Sequence, residues 1–232
     1  KIPIPNIKYS KMDMGKASAF FPLVGLIIGI ILVISDVILK TTFPFSIANL
    51  LLVLILTLLT GGIHIDGLAD TVDGFSSKAD SKEKILSIMR DSRIGTMGVA
   101  AVIFDVLLKF LLFMNINPLI RKETLIIMCV ISRWSMSFSA GYANYAREEG
   151  LAKVFINYKS LRNLLISSFA VSAISIFLLF PRSFTVLFEV AVFTLLFNFY
   201  VKRKIGGITG DTLGALNELN EILILVILGI IC

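Results

Sequence analysis

Residues 18–39 read Ser-Ala-Phe-Phe-Pro-Leu-Val-Gly-Leu-Ile-Ile-Gly-Ile-Ile-Leu-Val-Ile-Ser-Asp-Val-Ile-Leu, an apolar stretch broken by a single charge at Asp36. A bilayer core of about 30 Å takes roughly 20 apolar residues of helix, so this stretch predicts a membrane span. It is too long for a cleavable signal, and more spans follow it. Further apolar runs occupy about 44–63, 95–115, 124–142, 163–180, 183–201 and 213–231. The expected fold class is therefore all-α, a polytopic integral membrane helix bundle of about seven transmembrane helices, six on the lower count. Residues 1–232 are expected to form one transmembrane catalytic domain. The composition agrees. Of 232 residues, 56% are hydrophobic and 16% charged, with mean hydropathy +0.90. A soluble domain carries roughly 25% charged residues. A soluble enzyme and a disordered chain are both excluded. The two cysteines, Cys129 and Cys232, have no metal-ligand spacing and His64 is the single histidine, so neither a disulfide framework nor a His-based metal centre is expected. No internal repeat is visible. The chain opens on Lys1 rather than Met, so a short preceding piece is expected.

The charges set an orientation. Taken in order, the segments outside the runs hold four, one, five, two, four, one, three and no Lys or Arg. Alternate segments thus hold sixteen against four, a positive-inside pattern that predicts a cytoplasmic N-terminus and an external C-terminus. The net charge of +6 belongs to the same bias. No basic run is long enough for a duplex footprint, so a lipid bilayer is an expected partner and nucleic acid is not.

Three polar motifs stand out. The first is Gly61-Gly62-Ile63-His64-Ile65-Asp66-Gly67-Leu68-Ala69-Asp70-Thr71-Val72-Asp73-Gly74. At about 100° per residue, Asp66, Asp70 and Asp73 share one helical face within about 60°. Stacked like charges repel, which points to a cation between them. Carboxylate oxygens suit a hard ion, Mg²⁺ or Mn²⁺, and Mg²⁺ commonly bridges carboxylates to substrate phosphates. The plain alternative is a solvated acidic loop. The second motif is Met89-Arg90-Asp91-Ser92-Arg93-Ile94-Gly95-Thr96-Met97-Gly98. Arg90 and Arg93 offer forks suited to phosphate, or are interfacial anchors. Gly95 and Gly98 allow close helix packing or amides turned to an anion. The third runs from Gly206 to Glu221 and includes Gly207, Thr209, Gly210, Asp211, Gly214 and Glu218. Its glycine-rich turn looks like a backbone cradle for phosphate or ribose, but no Walker A lysine follows. On a helix, Asp211, Gly214, Glu218 and Glu221 lie within about 80°. Asp105 and Lys109, at i and i+4, read as an ion pair inside a span. Asp36, Arg133 and Glu189 read as isolated charges, and His64 as a hydrogen-bonding residue.

These motifs, with Phe21-Pro22-Leu23-Val24-Gly25-Leu26-Ile27-Ile28-Gly29, resemble the cobalamin synthase family (adenosylcobinamide-GDP ribazoletransferase) over nearly the whole chain. The resemblance implies joining of adenosylcobinamide-GDP with α-ribazole or its 5′-phosphate, giving adenosylcobalamin or its 5′-phosphate plus GMP. It implies an Mg²⁺-dependent phosphotransferase of cobalamin biosynthesis in the cytoplasmic (inner) membrane, with the site facing the cytoplasm. On that reading Asp66, Asp70 and Asp73 hold the metal and are catalytic, with Asp73 as proton acceptor. Arg90, Asp91, Arg93, Gly207, Thr209, Gly210, Asp211 and Glu218 bind substrate. The aspartate motif is also loosely similar to that of CDP-alcohol phosphotransferases, whose Ala-Arg pair and fourth aspartate are missing here. Lipid head-group transfer is the runner-up, and a transporter is a third reading. The number of metal ions and the oligomeric state are left open by the sequence.

Overall fold

The computed structural model describes residues 15–150, 152–157 and 160–231. Among the described residues ten α-helices follow in order: α1 (Phe21–Thr42), α2 (Phe45–Leu59), α3 (Ile63–Ser76), α4 (Lys82–Ile88), α5 (Thr96–Met114), α6 (Arg121–Tyr142), α7 (Lys153–Asn157), α8 (Leu161–Leu179), α9 (Ser183–Ile205) and α10 (Gly210–Ile231). Short 3₁₀ turns at Ala17–Phe20 and Pro118–Ile120 lead into α1 and α6. Among the described residues there is no strand; an isolated parallel bridge joins Tyr145 to Ile208. Among the described residues six helices are long and apolar enough to cross a membrane: α1, α5, α6, α8, α9 and α10. The bent pair α2–α3 raises the count to as many as seven.

The second run differs from its expected bounds. It stops at Leu59, and the chain turns by 87° into α3. The elbow is Thr60-Gly61-Gly62, where Gly61 and Gly62 take φ of 64° and 72°. A side chain with a Cβ rarely tolerates that left-handed conformation, so the two glycines set the corner. The aspartate motif is thereby carried on a helix laid across the end of the bundle.

α6 is the central helix, with 78% of its span buried. α1 closes on it through Gly29, where a Cβ would meet the Ile126 Cα at 2.7 Å, and through Gly25, which abuts the Cys129 carbonyl. Small residues let helices approach in lipid, where no hydrophobic drive separates them from acyl chains. Polar side chains add hydrogen bonds. The Asn220 amide donates to Ser135 Oγ at 2.8 Å, and the Asn198 amide to Ser139 Oγ at 2.7 Å.

Two of the charges read as isolated have partners. Asp36 accepts from Arg121 at 2.7 Å and from Lys40 at 2.7 Å, and Arg121 also donates to Asn49 at 2.6 Å, tying α1, α2 and α6 together. Arg133 pairs with Glu221. The expected Asp105–Lys109 pair is present at 3.1 Å, but Lys109 also binds Glu218 and, at 2.7 Å, Glu221. Partners from different spans were beyond the reach of local spacing.

Candidate active site

α3 and α10 cross through glycine. A Cβ on Gly67 would lie 2.7 Å from the Asp211 carbonyl oxygen, and one on Gly214 would lie 3.1 Å from the His64 Cα. This contact brings Asp66 and Asp70, on α3, against Asp211, at the start of α10. Asp66 is exposed, and Asp70 and Asp211 are half-buried. Burial, then the charges of Asp66 and Asp211, push the Asp70 carboxyl up to about 6. Arg147 opposes that shift and pairs with Asp211 at 2.6 Å. The three carboxylates therefore form one electrostatic cluster, with the Arg147 guanidinium beside it.

Asp73 is engaged elsewhere. Its oxygens accept the backbone amides of Gly95, at 2.6 Å, and Gly98, at 2.7 Å. Those amides open α5, so Asp73 acts as an N-cap supplied from another helix, where the helix dipole favours an anion. The amides of Gly95 and Gly98 do meet an anion, as their position suggested, but the anion is internal. Among the described residues no group of three His, Cys, Asp or Glu converges as metal ligands. Asp66, Asp70 and Asp73 share a face of α3, but Asp73 is turned to the α5 amides.

The other expected site residues fall into three groups. Asp91 and Arg93 bind each other: the guanidinium donates at 3.0 and 2.7 Å, the Arg93 amide at 3.0 Å, and these bonds hold the Asp91 carboxyl at about 2. Arg93 is 87% exposed on the surface. Arg90 is exposed and lies within electrostatic reach of Tyr145.

The glycine-rich turn does not stand open as a phosphate cradle. Ile208 donates to the Asn144 carbonyl at 2.8 Å and accepts from Ala146 at 2.9 Å. Gly207 is required there because a Cβ would strike the Asn144 carbonyl. Thr209 is fully buried, and its hydroxyl accepts the Thr212 amide at 3.2 Å while Thr212 Oγ1 accepts the Thr209 amide at 2.8 Å. Gly210 begins α10. These residues hold the 144–147 segment and α10 in place. Glu218 lies deeper, bonded to Lys109 and 3.8 Å from His64 Nδ1.

Arg147 was missed. Its sequence signal was one basic residue in a polar connector between spans, with no spacing to mark it.

A sequence model of the cobalamin-5-phosphate synthase family matches residues 1–229. The chain is 40% identical over 233 residues to the adenosylcobinamide-GDP ribazoletransferase of Caldanaerobacter subterraneus subsp. tengcongensis, covering 99% of this chain and 94% of that protein. The protein of the same name from Thermoanaerobacter sp. (strain X514) is 41% identical over 228 residues, with coverage of 97% and 91%. That from Geotalea daltonii is 36% identical over 228 residues, with coverage of 98% and 92%. No solved structure matches the chain.

Proposed function

Because this chain belongs to the cobalamin-5-phosphate synthase family, we propose that its reaction is carried out where α3 crosses α10. The activity is that of an adenosylcobinamide-GDP ribazoletransferase, the name its relatives carry over nearly the whole chain. A CDP-alcohol-type lipid phosphotransferase and a transporter are not favoured beside that match.

The 3′-hydroxyl oxygen of α-ribazole, or of its 5′-phosphate, attacks the phosphorus joined to cobinamide. The new P–O bond forms as the bond to GMP breaks, and the product is adenosylcobalamin or its 5′-phosphate. Phosphoryl transfer asks the protein mainly for positioning and charge stabilisation. The observation that carries the site is the glycine crossing, which gathers Asp66, Asp70 and Asp211 with too little positive charge among them. Their hard oxygen donors suit Mg²⁺ or Mn²⁺, and Mg²⁺ is usually held by one or two carboxylates plus substrate phosphates. Asp211 adds a third carboxylate to the pair on α3, while Asp73 accepts the Gly95 and Gly98 amides. When bound, the cation offsets charge on the leaving GMP. Asp73 fixes the start of α5 against α3 and remains the carboxylate offered to the proton of the attacking hydroxyl. Arg90 meets phosphate oxygens at the exposed rim.

The site lies at one end of the bundle, with α3, the start of α5, the 144–147 segment and the start of α10 in contact. We place that end in the cytoplasm, and the chain in the cytoplasmic membrane, on the charge asymmetry of sixteen to four. The test is GMP release from membranes given adenosylcobinamide-GDP, α-ribazole and Mg²⁺. Full activity in excess EDTA would remove the cation, and no GMP at all would remove the activity. With Cys129 and Cys232 replaced, single cysteines at Ser77 and Lys204 should be shielded from an impermeant reagent outside intact cells, and one at Arg182 should react. Reaction at either shielded position would overturn the orientation.

A further inference from the structure

Arg147 takes no part in the steps above, yet its setting is unusual for a surface connector. Only 10% of its side chain is exposed. Nη2 reaches Asp211 Oδ2 at 2.6 Å, but neither Nη2 nor Nε finds an aligned hydrogen-bond acceptor among the described residues. A guanidinium carries five N–H donors, and buried donors left unpaired are costly. Its charge is felt at Asp70 and at Tyr145, so it borders the crossing of α3 and α10. Its backbone is held close by: the paired hydrogen bonds between residues 144–146 and Ile208, made at Gly207, fix the segment just before it.

We infer that Arg147 is a phosphate-binding residue of this site, resting on Asp211 in the metal-free protein and passing to the diphosphate of adenosylcobinamide-GDP when the cation takes Asp211. The inference rests on the proposed cation reading of the cluster. A carboxylate pair built only for fastening would present its oxygens along the fork, two bonds at once. Here Nη2 meets Asp211 off the line of a hydrogen bond, and Nε has no aligned acceptor among the described residues. A diphosphate offers oxygens that match the fork. Cation and guanidinium compete for Asp211, and the substrate supplies the acceptors Arg147 gives up. Cation and diphosphate therefore each favour binding of the other.

The test is equilibrium binding to the purified full chain in nanodiscs, with Mg²⁺ or with EDTA. The probes are adenosylcobinamide-GDP and adenosylcobinamide, which lacks the diphosphate. In Mg²⁺, Arg147→Gln should weaken adenosylcobinamide-GDP by about tenfold or more, the range for a charged hydrogen bond, and leave adenosylcobinamide unchanged. Arg147→Lys should recover part of the loss, and the Mg²⁺-dependent gain seen for the wild type should shrink in both variants. Unchanged affinity of Arg147→Gln for adenosylcobinamide-GDP, or equal losses for both probes, would make Arg147 a fastener of the connector and overturn the inference. If Arg147→Gln does not fold, Arg147→Lys decides, since wild-type affinity there would also overturn it. A wild type whose affinity ignores Mg²⁺, beside a diphosphate-specific loss in Arg147→Gln, would keep the phosphate contact and reject the cation reading alone.

Discussion

Gly67 leaves no room for a side chain between itself and Asp211: the missing Cβ would sit 2.7 Å from the carbonyl oxygen and 2.9 Å from the Cα. The acidic cluster exists because of that contact, as one wall comes from α3 and the other from α10. Gly67→Ala should push the helices apart by several tenths of an ångström or more. Misplacing reacting groups by about 1 Å costs on the order of 10²-fold, so turnover should fall by about that much. The measurement is GMP release per folded protein, with the folded fraction taken from gel filtration. A rate within about threefold of wild type would show that the crossing does not set the site.

Asp66→Asn, Asp70→Asn and Asp211→Asn should each lower turnover by at least about 10²-fold, because each removes charge that the cation and the leaving group depend on. Asp73→Asn should behave differently. It places an amide where the Gly95 and Gly98 amides need an acceptor, at a cost of about 1–2 kcal/mol in stability. Its melting temperature in EDTA should therefore drop, while those of the other three hold or rise. A drop common to all four variants would contradict the distinction.

Asp70 gives the metal-free protein a pH signature. Its folded carboxyl is raised to about 6 from an ordinary 3.8, so the fold favours the protonated form. That contribution is fully present below about 4 and is lost as pH rises toward 6. In EDTA, wild-type melting should fall across this interval relative to Asp70→Asn, and Mg²⁺ at pH 7 should narrow the difference. Parallel curves for the two proteins would mean that Asp70 is not perturbed.

The buried ion network predicts a cost and a rescue. Lys109 contacts Asp105, Glu218 and Glu221, and it is almost fully buried. Lys109→Met leaves those acids facing Arg133 alone, and losing one partner of a buried pair costs about 3–5 kcal/mol. Folded yield should collapse. Adding Glu218→Gln removes one uncompensated charge and should restore part of it. A stable, active Lys109→Met variant would show that the network is dispensable.

Much of this architecture could be read from residue spacing. The apolar runs became helices close to their expected bounds, and Asp66, Asp70 and Asp73 do share one face of a helix. What spacing conceals is what each face meets. The acceptor role of Asp73 depends on amides 22 and 25 residues away. The Gly206–Gly210 turn looked open for a ligand because the 144–146 strip that occupies it lies far off in sequence. Gly61 and Gly62 marked a break but not a right angle, and Arg147 looked like any other interfacial arginine.

The last helix has a consequence for how the chain is made. α10 carries Asp211, Glu218 and Glu221 but no Lys or Arg of its own. α5, by contrast, enters lipid with Asp105 and Lys109 one turn apart, already neutralised. The counter-charges for Glu218 and Glu221 lie 109 and 88 residues earlier, in Lys109 and Arg133. A nascent chain halted after α9 holds Lys109 paired with Asp105 alone, and Arg133 without its carboxylate. Synthesis of the final helix thus completes the ion network: Glu218 and Glu221 enter last and meet Lys109 and Arg133, which are already in place.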